Sequence, residues 1–131
     1  MAITAAQEAV EQEYAACRAL EVVFTKKWRK LGKDWRLHSF QESADFSAML
    51  CRAVGTKIIK EVRRLDRSWC GGLYQGRVIY APQEAPVVTI IHETAHHIHH
   101  EEWLGGSPHG KQFCEVEQML FDFLLTRDRF L

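Results

Sequence analysis

The chain has no CxxC pair, no proline before Pro82, no glycine before Gly32, and no apolar stretch beyond about five residues. Each absence excludes something. Four cysteines at positions 17, 51, 70 and 114, without paired spacing, exclude a zinc ribbon and a disulfide framework. Reduced thiols and a cytoplasmic location are expected. The short apolar runs exclude a membrane helix, so no membrane partner is expected. Glu8, Glu11 and Glu13 stand where an export signal would carry basic residues. Seventeen basic residues balance seventeen acidic ones, which argues against a whole-surface nucleic-acid binder.

What is present is globular: 47% apolar, 11% aromatic and 26% charged residues. A chain of 131 residues suits one domain, with a helical part over 1–55 and a core that carries the sheet over 56–131. In 5–31, Val10, Tyr14, Cys17, Leu20, Phe24, Trp28 and Leu31 recur every three or four residues, the stripe of an amphipathic helix. Thr4 can cap its start and Gly32 its end. Ser39 with Glu42 reads as a capping box for a second helix ending at Gly55. The alternation from Ile58 to Leu65 suits a strand, and a hairpin turning at Gln75-Gly76 suits 73–80. About three short strands are expected before Ala81. Pro86 then opens a helix to Leu104, and Ser107-Pro108 read as N-cap and first residue of a last helix. The fold class expected is α+β.

One composition feature stands out. Six of the seven histidines lie between His92 and His109. His92-Glu93-Thr94-Ala95-His96 is HExxH on an expected helix. Residues four apart lie on one face, so both imidazoles can bind one metal ion. Glu93 is turned about 100° from His92 and can act as general base toward a metal-activated water. A catalytic zinc takes three protein ligands and an open position. His109, after the Gly105-Gly106 turn, is the favoured third ligand. Glu115, at the thermolysin-like spacing, competes with it, and His99 and His100 lie too far along the helix to lead.

The segments His92-Glu93-x-x-His96 and His109-Gly110-Lys111-Gln112-Phe113 resemble the HExxH…HGxxF signature of SprT-like zinc metallopeptidases and of small bacterial and phage metallohydrolases of the zincin group. The likeness covers about 58–125, and Tyr80-Ala81-Pro82 is similar to the strand that precedes the active helix there. The resemblance implies a minimal zincin-like domain: N-terminal helices, a small three-stranded sheet whose edge aligns a peptide substrate, an active-site helix and a C-terminal backing helix. It implies one Zn2+ on His92, His96 and His109, with Glu93 as base. The group commonly adds a C-terminal zinc ribbon, and this chain has no CxxC pairs to build one.

The expected activity is therefore zinc-dependent hydrolysis of a peptide or protein substrate. The competing function is a non-catalytic metal-binding or DNA-associated module on the same fold. In that case His99, His100 or Cys114 would close the site as a fourth ligand. Tyr74 and Tyr80 are candidate oxyanion donors or plain packing residues. His97 points away from the metal face, and His38 stands alone in a loop. Lys26, Lys27, Arg29, Lys30, Lys33 and Arg36 match a helix dipole, or with Trp28 and Trp35 contact nucleic acid. Trp69 and Trp103 are expected in the core or at its rim. Thirteen basic residues against nine acidic leave 1–68 at +4, and four against eight leave 69–131 at −4.

Overall fold

The computed structural model describes residues 5–66, 71–102, 104–106 and 108–127, without the side chains of 6, 7 and 9–11. Helix α1 (Ala5–Lys30) leads to α2 (Phe40–Val54), then to strands β1 (Glu61–Arg64), β2 (Leu73–Gln75) and β3 (Val78–Ala81). Helices α3 (Val87–Glu101) and α4 (Lys111–Thr126) follow. Four helices on a small mixed sheet make an α+β fold. Among the described residues no helix is long and apolar enough to cross a membrane.

The sheet order is β1-β3-β2. β1 runs parallel to β3 with Val62 opposite Ile79, and β2 is antiparallel to β3 with Tyr74 opposite Ile79. The hairpin turns at Gly76 and Arg77, both at positive φ (60° and 66°), one residue later than Gln75-Gly76. Two successive positive φ values match the right-handed twist of the flanking strands. β1 is shorter than the apolar alternation suggested. Ile59 is buried before it and Ile58 is 43% exposed, so the run begins as a loop.

Two apolar clusters hold these elements together. The larger joins all four helices through Cys17, Phe24, Leu50, Ile91, Ala95, Phe113, Leu120 and Phe121. The smaller joins the sheet to α3 through Val62, Ile79, Ala81 and Ile90. Leu37 and Phe46 touch both. α3 is the central element, because Ile90 faces the sheet while Ile91, Ala95 and Ile98 face the helices. Its Thr94 hydroxyl shares a buried 2.7 Å hydrogen bond with Ser47 of α2. The start of α3 is tied to the α1–α2 loop, since Leu37 N–H donates to Ala85 O and Val87 N–H to Trp35 O, each at 2.8 Å.

The helix ends show which local signals prevail. Ser39 Oγ accepts from Glu42 N–H at 3.0 Å, while the Glu42 carboxylate accepts from His38 N–H rather than from Ser39. Gly55 closes α2 in the left-handed region, φ 76°. α3 begins at Val87 with Pro86 as its N-cap and stops at Glu101, short of Leu104. α4 begins at Lys111, not at Pro108. Gly110 is its N-cap, and no side chain caps it. Residues 108–110 instead form the turn that presents His109. The Thr4 and Ser107 caps, and Trp69, Trp103 and Cys70, lie outside the described residues.

Candidate metal centre

His92 and His96 sit one turn apart on α3, and the loop before α4 brings His109 across to them. The Nε2 atom of His109 is 3.2 Å from that of His92 and 3.2 Å from that of His96. A metal ion with Zn-like bonds of about 2.0–2.1 Å in tetrahedral geometry spaces its ligand nitrogens by about 3.3–3.4 Å. The three imidazoles therefore fit one metal ion, and among the described residues this group has three donors.

The loop geometry has visible causes. Gly106 sits at φ 90°, a backbone conformation that L side chains rarely adopt, with the Gln112 side chain folded over it. The His109 ring packs on Tyr14 of α1, centroids 4.2 Å apart. The Phe113 ring stacks against His96 at 4.4 Å. Cys114 Sγ and Cys17 Sγ lie 3.4 Å apart, both near the His109 carbonyl oxygen. The third donor is thus held from α1 as well as from its own helix.

Two carboxylates stand behind His92. Its Nδ1–H donates to Glu21 Oε1 of α1 at 2.7 Å and to Glu117 Oε2 of α4 at 3.1 Å. When the ring is neutral, a hydrogen on Nδ1 leaves the lone pair on Nε2, aimed at the other two imidazoles, and without a metal ion the same carboxylates favour a second proton there. Burial disfavours a charged His92, but its bonds to Glu117 and Glu21 outweigh this and hold its pKa up at about 10. Burial, with His92 and His109 alongside, pushes His96 down to about 3 and lowers His109 as well. Burial lifts Glu117 to about 7; it opposes ionisation of Glu21 too, but hydrogen bonds from His92 and Glu117 hold Glu21 low. Glu117 Oε1 is buried without a hydrogen-bond partner among the described residues. Glu21, His92 and Glu117 form a second group able to hold a metal ion.

Glu93 is 5% exposed, and burial raises its pKa to about 7. Its carboxylate packs against Gly72, where a Cβ would come within 2.9 Å of Oε2. Glu93 thus lies between the two α3 histidines and the start of β2. It opens on a cleft of about 1100 Å³ that runs along β2 and past His92, His96 and His109.

No protein-family model, curated protein or solved structure matches this chain.

Other residues singled out by the sequence fall outside the trio. Glu115 is exposed on α4, two residues from the carboxylate that does reach His92. His99 Nε2 meets Gly105 O at 3.1 Å, and Cys114 is engaged with Cys17, so neither completes the metal group. His100 lines the cleft. His97 is buried between the Tyr74 hydroxyl at 2.7 Å and Lys57 O at 2.6 Å. That contact commits the Tyr74 hydroxyl to packing, while Arg63 beside Tyr80 donates to Glu61. His38 pairs with Asp34 at 2.5 Å, and that carboxylate holds its pKa up.

In the basic stretch, Lys33 lies over Trp28 and Arg36 over Trp35. Trp28 is buried, with its indole N–H on Asp34 O at 2.8 Å. Both rings are therefore used inside the fold.

Glu21 and Glu117 were not anticipated from the sequence. A signal did exist. Glu117 interrupts the buried stripe Phe113, Val116, Leu120, Phe121, Leu124, and a carboxylate on such a stripe needs a partner. Glu21 similarly follows Cys17 by one helical turn.

Proposed function

We propose that this protein is a small zinc-dependent hydrolase whose substrates are peptides or proteins. The observation that carries the reading is a juxtaposition. Three imidazole nitrogens converge at metal-ligand spacing, and the buried Glu93 carboxylate sits beside them on the same open cleft. The resemblance to SprT-like zinc metallopeptidases supports the same reading.

His92, His96 and His109 would hold the zinc, and Glu21 and Glu117 would fix the His92 ring. Bound there, zinc supplies Lewis acidity toward water and toward a scissile carbonyl. Glu93 takes a proton from the attacking water and returns it to the leaving amine, so one water is added across one peptide bond. A non-catalytic zinc site has no use for a base at this position, and it would be closed by a fourth donor.

Metal analysis of the purified chain should find about one zinc per chain. Glu93→Gln should keep the metal and the fold, while hydrolysis of unfolded casein falls about 10²–10⁴-fold. A Glu93→Gln protein as active as the parent, with zinc bound, would sink the mechanism. No hydrolysis by either zinc-loaded protein would favour the metal-binding module.

A further inference from the structure

The metal group occupies one end of the cleft, and the other end is built from different chemistry. β2 is an edge strand, with no strand on its outer side among the described residues. It leads from Gly72, against Glu93, to the Gly76–Arg77 turn. Gln75 and Val78 flank that two-residue turn, and such a pair bonds to itself. The outward backbone groups in the middle of the strand are then those of Tyr74.

Two cations meet at the turn. Lys60 N–H donates to Arg77 O at 2.8 Å, which sets the two residues side by side, and both line the cleft. Glu101 fixes Arg77, with Nε donating to Oε1 at 2.6 Å and Nη2 reaching Oε2 at 3.5 Å. Lys60 is exposed, and among the described residues no carboxylate pairs with it. His99 and His100 line the same wall, and Glu93 is the one carboxylate among the described lining residues. Arg77 is also the one non-glycine residue described at positive φ. A hairpin turn ordinarily takes glycine, asparagine or aspartate there, so this arginine is placed against local preference.

We propose that Lys60 and Arg77 form a subsite for a carboxylate side chain, and that the substrates are acidic peptides. The proposal rests on the peptidase reading and names its substrate class. A peptide added antiparallel to β2 runs from the turn toward Glu93. Four residues of extended chain separate Gly72 from Gly76, roughly 13 Å. The recognised Asp or Glu therefore lies about four residues N-terminal to the cleaved bond. Lys60 supplies the uncompensated charge, and the Arg77 guanidinium, held by Glu101, supplies oriented N–H donors.

The test digests unfolded casein with the zinc-loaded full chain and maps every cleavage by mass spectrometry. Parallel digests use Lys60→Glu and Lys60→Gln. Wild-type sites should show Asp or Glu three to five residues N-terminal to the cut, enriched about three- to fivefold over the casein composition. The enrichment should vanish in Lys60→Gln and turn toward Lys and Arg in Lys60→Glu. It should also weaken in 0.5 M salt, since the subsite is exposed (Debye length about 4 Å). Unchanged site preference in Lys60→Glu, or a basic preference in the wild type, overturns the subsite and leaves the peptidase reading standing. No cleavage by any zinc-loaded protein overturns both.

Discussion

At the scale of single residues, Gly72 and Glu93 form one unit. Glycine at 72 lets the backbone of the strand approach so closely that a Cβ would lie 2.8 Å from Thr89 Cγ2 and 2.9 Å from Glu93 Oε2. Glu93 is buried, so its carboxylate has little room to retreat. Gly72→Ala should displace that carboxylate without touching a metal ligand. Zinc content should stay near one per chain while casein hydrolysis drops about tenfold or more, the sensitivity expected of a misplaced catalytic group. Full activity in Gly72→Ala would show that this contact does not position the base.

At the scale of elements, the centre depends on two helices besides the one carrying HExxH. α4 presents His109 at its entrance and Glu117 in its second turn. α1 crosses behind them with Tyr14, Cys17 and Glu21. This arrangement separates the two candidate third ligands. His109→Ala should lose zinc during gel filtration in mild chelator, whereas Glu115→Ala should keep it, because Glu115 is exposed and outside the trio. Removing the carboxylates on His92 by Glu21→Gln with Glu117→Gln should weaken zinc binding about 10–100-fold in a competition titration. Metal retained by His109→Ala but lost by Glu115→Ala would reverse the assignment.

For the molecule as a whole, metal and fold are expected to be linked. Folding brings His109 to the His92–His96 pair of α3, so a zinc ion held by all three would bind the native chain in preference to the unfolded one. At a free zinc concentration 100 times its Kd, the stabilisation is about 2.7 kcal/mol. For a domain of this size that corresponds to a rise in Tm of about 10 °C. A chelator should remove the rise, and His109→Ala should not show it. An equal Tm with and without chelator, for protein shown to carry zinc, would mean that the fold does not depend on its metal. Core packing supplies the independent reference: Leu120→Ala, at a fully buried position between α4 and its neighbours, should cost about 2–5 kcal/mol with or without zinc.

Much of this was readable along the chain. Period-3.6 stripes marked the helices, Ser39 and Gly55 marked the ends of α2, and HExxH placed His92 and His96 on one face, because each signal lies within a few residues. The Ser107-Pro108 signal places the start of α4 too early, since residues 108–110 form a turn whose His109 packs on Tyr14 of α1. Glu115 has the thermolysin-like spacing but is exposed, and the inward carboxylate of α4 is Glu117, which the apolar stripe Phe113, Val116, Leu120 already places on the buried face. Glu21 lies 71 residues before the histidine it supports, and Lys60 meets Arg77 only through sheet pairing. Local sequence determined the helices, paired His92 with His96 and named His109 ahead of Glu115 as the third donor. The choice between those two, the carboxylates behind His92 and the charge of the cleft were decided by packing, because those contacts join segments that the chain's local preferences leave unconnected.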